Sequence, residues 1–451
     1  MAIAPTPAAG FPAHVETLII GAGAGGIVAA LAAREAGQEV LVLERDPVPA
    51  GSTALSAGLI PAAGTRAQAA AGIADTPDAF AADIMAKAHH QPDPQIVAAL
   101  TQAAATTLDW LADRYALPFS VVDDFDYPGH SARRMHGLPT RAGRDLIDRL
   151  RATAEAEGID VLCDAPVTTL FADGQRVTGV EITRPDGGTD RIGCARVILA
   201  CNGFGGNPEK VAALTPAISE ALYFGHDGNR GDALDWGAAL GAATRHLGAY
   251  QGHGNVAHPH GILITWATMT EGGFQVNASG DRFWDESQGY SEAAAHVLAQ
   301  PGGVAWAVFD ARIAGIARQF EDFRSAEAQG AVRRASTISA LADAIGVPHA
   351  ALAASFAQTT GTCPFGRSFD PAKALAAPFR AVRVTGALFH TQGGLDIMPD
   401  ARVKSVNGGV LPNLFAVGGA ACGVSGAGDA GYLSGNGLLA AVVLGRIAGA
   451  A

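Results

Sequence analysis

Gly21-Ala22-Gly23-Ala24-Gly25-Gly26, followed 18 residues after its last glycine by Glu44, is where residue type and spacing most directly specify chemistry. A buried-strand run, Thr17-Leu18-Ile19-Ile20, enters the glycines. A stretch of helical composition, Ile27 to Ala33, leaves them, and a second strand, Gln38 to Leu43, ends on the acid. That order is the dinucleotide-binding fingerprint. Gly21 permits the tight turn, Gly23 lets backbone approach a pyrophosphate, and Gly26 with Ala30 packs helix on strand. The free N–H groups at the helix start attract phosphates, and Glu44 can accept from ribose hydroxyls. An adenine dinucleotide is expected; the plainer alternative is a glycine-rich turn in an ordinary α/β domain. His253, His258 and His260 invite a metal reading, but no matching set of acids or thiols accompanies them, so no metal is expected. His89-His90 reads as a solvated helix end. Cys163, Cys194, Cys201, Cys363 and Cys422 are isolated, which argues against a disulfide framework, a zinc ribbon and c-type haem.

The elements that must position these residues follow from pattern. At 451 residues, 49% hydrophobic, with 57 glycines, the chain has the profile of a loop-rich α/β enzyme of two to three domains. A net charge of −12 argues against nucleic acid and anionic membrane as partners. The first 13 residues read as a loose Ala/Pro tail and not a signal peptide. No apolar run reaches the ~18 residues of a membrane span, so a soluble cytoplasmic protein is expected. Ser52 to Gly58 is a loop of small and hydroxyl residues suited to a planar ligand. Two helical patterns fill Asp78 to Ala116, broken at Pro92 and Pro94, and another covers Arg144 to Glu157. Strand pairs occupy Val161 to Val180 with a turn at Asp173-Gly174, and a buried strand runs from Arg196 into Asn202-Gly203. Asp232 reads as a helix N-cap. Tyr250 to Pro378 has a different texture, with scattered His and Trp, and reads as an insertion before the strand Leu414 to Val417 and a closing glycine-rich loop and helix.

Four stretches together, Gly21 to Glu44, Ser52 to Gly58, Val197 to Asn207 and Leu411 to Gly449, resemble the FAD-dependent fumarate reductase/succinate dehydrogenase flavoprotein superfamily. The resemblance implies an α/β fold: a Rossmann-like FAD-binding domain, residues 14–249 and 381–451, interrupted by an inserted α+β capping domain, residues 250–380. It places FAD contacts at Gly21, Gly23, Ala24, Gly25, Glu44, Arg45, Ser52, Thr53, Ser56, Ala57, Gly58, Val167, Ala200, Asn202, Gly203, Asp232, Gly419, Asn436, Gly437 and Leu438. Succinate dehydrogenases carry a flavin-linking histidine in the loop after the first acid. This chain has none between Glu44 and Gly58, so FAD is expected to be held non-covalently.

Departures from the family pattern bear on the substrate. Dicarboxylate enzymes need arginines, because guanidinium groups pair with two carboxylates and one delivers the proton. Counting on from the cap motif Gly272 to Phe283, the proton-donating arginine's position holds Tyr290. The second arginine's position, before Leu433-Ser434-Gly435-Asn436, holds Tyr432. This pairing resembles the 3-ketosteroid dehydrogenase branch, of both Δ1 and Δ4-(5α) types. That resemblance implies Tyr290 as base and Tyr432 as the acid polarising a ketone, with hydride passing to flavin N5. The chain is compact for a steroid enzyme, so a smaller cyclic ketone is an equal candidate. A tyrosine base is awkward at a reference pKa of ~10 and needs a lowered pKa or a relay. Plainer readings make Tyr290 a rim aromatic and Tyr432 a packing residue. His390, in a family-like His-Thr-x-Gly-Gly turn, His258 before Pro259, and Tyr127 are expected substrate neighbours; a hinge residue, a turn and a surface loop are their alternatives. An ene-reductase running the same chemistry backwards and a non-catalytic flavin-binding protein stay open, and an external electron acceptor is expected.

Overall fold

The computed structural model describes residues 2–123 and 126–451. Strand Ala13–Ile20 leads through the glycine turn into helix Ala24–Glu35 and returns as strand Val40–Leu43. Ala13–Ile20 is an inner strand of a nine-stranded sheet, flanked in parallel by Val40–Leu43 and by Thr189–Leu199. Thr189–Leu199 pairs in parallel with Val410–Ala416 as well, and antiparallel with the hairpin strand Arg176–Thr183. In register, Ile20 lies opposite both Leu43 and Leu199. The three strands therefore stop at one level, and Gly21, Glu44 and Ala200 emerge together at the carboxyl edge, where open α/β sheets bind ligands.

The closing helix Asn436–Ala450 lies along helix Ala24–Glu35. A Cβ on Gly445 would come 2.5 Å from the Gly25 carbonyl oxygen, and one on Gly449 2.2 Å from that of Ala29. Only glycine allows so close an approach. Because 25 meets 445 and 29 meets 449, the helices run the same way, and the Asn436 end projects nine residues past the Gly25 level. At 1.5 Å per residue that is about 13 Å. The two ends of the chain thus frame two ends of one groove.

A second, seven-stranded sheet is organised by the long strand Phe379–Thr391, which pairs with Tyr250–Ala257, Val304–Asp310, Val332–Ala335 and the short Leu222–Tyr223. This layer buries cores of its own, one around Trp266, Trp284, Phe309 and Phe323, another around Phe274, Leu341 and Phe379. The architecture is the expected α/β one, a Rossmann-like sheet with an added α+β layer. Among the described residues, no helix is long and apolar enough to cross a membrane.

Two local expectations are corrected. Ala2–Ala4 is not loose tail: it adds a parallel strand beside Thr169 to Phe171 and covers an otherwise open sheet edge. Helix Asp232–Leu240 is capped by Gly231, whose φ of +81° is the left-handed conformation glycine favours, and Asp232 lies inside the first turn. Its carboxylate is directed to Arg45 instead.

Candidate active site

A continuous cavity of about 550 Å³ extends from the glycine turn to the closing loop. Its first end is made largely of backbone. Gly21 has φ +106°, and a Cβ there would lie 2.6 Å from the Ala200 carbonyl oxygen, so the turn admits glycine alone. Glu44 is buried; its Oε2 accepts from the Ala22 N–H at 2.8 Å and its Oε1 from that of Asp46 at 3.1 Å. Thr53 Oγ1 accepts from the Ala24 N–H at 3.1 Å, so the hydroxyl loop satisfies one free donor of the helix start. Ser52 Oγ accepts from Asn229 Nδ2 at 2.8 Å. Of the residues expected to hold the cofactor, Gly23, Gly25, Ser56, Ala57, Val167, Asn202, Gly419, Gly437 and Leu438 also line this cavity. Gly58, Gly203 and Asn436 do not. A Cβ on Gly58 would press on Ala142 and one on Gly203 on Thr391 Oγ1, so these glycines shape the wall from behind.

Asn436 lies behind the stretch of wall formed by Gly435, Gly437 and Leu438. It is fully buried at the start of the closing helix, yet neither its Oδ1 nor its Nδ2 has a partner among the described residues. Buried amide groups left unmet cost about 1–3 kcal/mol each. A dinucleotide flavin fits the residues that line the cavity: backbone N–H groups of a helix start and a buried acid at one end, glycine-rich backbone of the closing loop at the other.

The second end is made of side chains from four elements. Tyr290 is the first residue of helix Tyr290–Leu298. Tyr432 sits in the closing loop, where its hydroxyl accepts from the Gly437 N–H at 3.4 Å. His390 comes from the end of strand Phe379–Thr391, and Gln251 and His253 from strand Tyr250–Ala257. The Tyr290 and Tyr432 rings stand 6.1 Å apart, and the His390 and Tyr432 rings 5.5 Å apart. His253 stacks on Tyr290 at 4.8 Å, with Trp266 edge-on to both.

The aromatic cluster at this end is uncharged. Burial pushes the Tyr290 phenol well above its ordinary value, with Tyr432 adding to the rise and a Ser434 hydrogen bond opposing it. Burial likewise lifts Tyr432 to about 12, against hydrogen bonds from the Gly437 and Gly435 backbone. Burial lowers His390 to about 4 and His253 to about 3, so both imidazoles are uncharged at neutral pH. Gln392 Nε2 donates to His390 Nδ1 at 2.6 Å, and Gln392 Oε1 accepts from Ser425, which leaves the ring proton on Nε2. No guanidinium stands at either tyrosine position. Charged residues of both signs, Arg141, Arg144, Glu321 and Asp322, also line the cavity.

Tyr127 lines the cavity, as do Tyr290, Tyr432 and His390. His258 does not: strand Tyr250–Ala257 carries the chain away, and His258 lies partly exposed in the turn beyond its end. The strand delivers His253 in its place. Gln251 and His253, polar residues two apart in a run where every position is buried, were the available signal that one strand face meets a cavity.

Fold and cavity together define an oxidoreductase of the dinucleotide-binding α/β class. Residues 16–438 match the FAD binding domain family. A probable fumarate reductase of Shewanella frigidimarina is 30% identical over 98% of this chain and 75% of its own length. A 4-oxocyclohexanecarboxylate 2-dehydrogenase of Sinomonas cyclohexanicum is 26% identical over 93% of this chain and 92% of its own. Among solved structures, the open conformation of a flavocytochrome c3 fumarate reductase superposes with a TM-score of 0.82 at 30% identity, covering 98% of this chain and 78% of the other. The 3-ketosteroid-Δ4-(5α)-dehydrogenase of Rhodococcus jostii RHA1 shares the fold, with a TM-score of 0.78 at 24% identity over 99% of both chains. The chain belongs to the FAD-binding fumarate reductase/succinate dehydrogenase flavoprotein family, and it is an FAD-dependent oxidoreductase acting on CH–CH or C=C groups.

Proposed function

We propose that this enzyme desaturates a ketone between its α and β carbons, with a cyclic substrate, either a ketosteroid or a smaller cyclohexanone-type ring. One observation carries the reading: two tyrosines, with rings 6.1 Å apart, meet in an uncharged aromatic cluster at one end of the cavity, at the positions expected to hold arginines. A dicarboxylate bound between them would lack guanidinium partners at both tyrosine positions, at a cost of several kcal/mol. A ketone needs one donor at its oxygen and one proton acceptor at its α-carbon. Tyr432, backed by the Gly437 N–H at the positive end of a helix, donates to the carbonyl oxygen and so acidifies the α-hydrogen. Tyr290 receives that proton. FAD, when bound, supplies the acceptor for the β-hydride at flavin N5. His390 and Tyr127 bound the substrate, with His390 presenting its Nε2 proton. The cofactor sits non-covalently along the glycine turn and hydroxyl loop, residues 250–380 act as the cap over 14–249 and 381–451, and an external acceptor removes the electrons. The relative from Sinomonas cyclohexanicum, named for a dehydrogenation of a six-membered ring ketone, supports this choice.

A second reading, reduction of an α,β-unsaturated ketone or acid, is favoured by two observations. Several relatives are named as reductases, and the raised phenol of Tyr290 suits a proton donor. Anaerobic titration tests both. A saturated cyclic ketone should bleach the oxidised flavin and succinate should not. Rapid reoxidation of reduced enzyme by an enone, without bleaching by the ketone, would establish the reductase instead. Bleaching by succinate as fast as by any ketone would overturn the ketone assignment.

A further inference from the structure

A phenol held far above its ordinary value is a poor proton acceptor unless its own proton can leave as the new one arrives. A second, much smaller cavity of about 10 Å³ shares Tyr290, Tyr432 and Ser434 with the main one and is bounded elsewhere by Lys87, Gln288 and Glu292. Its size is that of roughly one water. Glu292 follows Tyr290 by two residues in the first turn of the same helix and is 7% exposed. One carboxylate oxygen, Oε1, is ion-paired with Lys87, whose Nζ also donates to the Gln288 carbonyl at 2.7 Å. The other, Oε2, is buried with no hydrogen-bond partner among the described residues. An ionised oxygen without a partner is costly to bury, and this one borders a water-sized cavity that also touches the proposed catalytic phenol.

We propose that Glu292, held by Lys87, is the proton-relay partner of Tyr290, linked to it through one water in the small cavity. The inference rests on the reading of Tyr290 as the group that exchanges a proton with the substrate α-carbon. The step balances without a free phenolate. As the α C–H bond breaks, its proton forms a new O–H bond on Tyr290. The original phenolic proton passes to the water, a water proton passes to Glu292 Oε2, and carboxylate becomes carboxylic acid. The acid then gives that proton up to solvent, which reaches the pair beside Lys87, whose side chain is 15% exposed. The reverse order supplies a proton for reduction. The surroundings of Glu292 favour such an exchange, since burial raises its pKa, the Lys87 charge and hydrogen bond oppose the rise, and Asp429 adds to it. Tyr250 and Tyr290, which feel the Glu292 charge, face it as neutral phenols.

The test follows flavin reduction by a cyclic ketone, with exchange of its α-hydrogens, as a function of pH. Wild type should slow on the acid side as Glu292 protonates. Glu292→Gln keeps shape and volume but accepts no proton; it should lose ~10²–10⁴-fold in both rates and lose the acid limb, while binding an unreactive phenol as tightly as wild type. Lys87→Met removes the charge that favours the carboxylate, so the acid limb should move to higher pH. Glu292→Gln with wild-type rates and an unchanged acid limb would overturn the relay, as would loss of phenol binding in step with rate, which marks a purely structural role. A wild-type enzyme that neither exchanges nor oxidises any ketone would overturn the relay together with the reading beneath it.

Discussion

The two ends of the cavity are built by different means. At the nucleotide end, recognition is made by main chain held in one conformation: Gly21 at φ +106°, N–H groups of Ala22 and Ala24 already assigned to Glu44 and Thr53, and two glycine-spaced helices in backbone contact. At the substrate end, Tyr290, Tyr432, His390 and His253 arrive from four separate elements; His253 stacks on Tyr290 at 4.8 Å, and Tyr432 stands edge-on to His390 at 5.5 Å and to Tyr290 at 6.1 Å. A backbone site tolerates almost no change in its glycines and fixes the cofactor. A side-chain site keeps its scaffold while single residues are exchanged, which is how one fold can serve dicarboxylates in some members and, on the present proposal, a ketone here.

The contrast can be broken at either end. The largest effect is expected from Gly21→Ala, whose Cβ would meet the Ala200 carbonyl at 2.6 Å in a conformation that alanine disfavours. The purified variant should carry little or no flavin absorbance, while Tyr290→Phe and Tyr432→Phe should remain fully yellow. Tyr290→Phe should bind ketone normally but slow flavin reduction by ~10²–10⁴-fold in a stopped-flow measurement. Tyr432→Phe should slow it by ~10²–10³-fold and, unlike Tyr290→Phe, weaken phenolates that mimic the enolate.

The smallest effect concerns stability in acid. An unfolded histidine titrates near 6.5, whereas His390 and His253 in the fold are held to about 4 and about 3 by burial. Between those values the unfolded chain binds protons that the folded site refuses, so stability falls as pH drops below ~6.5 and the loss levels off below the folded values. Melting temperature should decline over that window, and more gently in His390→Gln, whose slope matching wild type would speak against a buried neutral imidazole.

The same contrast governs what the sequence makes legible. The strand, glycine turn, helix and acid of residues 13–44 are contiguous, and each element has its own local cause, so they can be read directly; the hairpin turn expected at Asp173-Gly174 falls one residue later, at Gly174-Gln175. Tyr290 and Tyr432, 142 residues apart, can be paired through resemblance alone, because no local pattern states that a helix start and a loop face each other. In sequence, His258 stands out over His253 because it precedes a proline. The strand's alternation and length, which put His253 into the cavity and His258 beyond its end, become visible with the partner strand in place. The Ala2–Ala4 strand is hidden for a like reason: three small residues carry no strand signal until an open edge is offered to them. Lys87 and Glu292, from helices 205 residues apart, have no sequence signature at all.

The most direct measurement of the central claim is α-hydrogen exchange of a bound cyclic ketone in deuterium oxide, followed by NMR. Exchange needs the carbonyl donor and the proton acceptor but no hydride transfer, so it isolates the chemistry assigned to the two tyrosines. Wild type should exchange readily, and Tyr290→Phe and Tyr432→Phe should each be slowed by at least ~10²-fold. A Tyr290→Phe enzyme that exchanges at the wild-type rate would contradict the account.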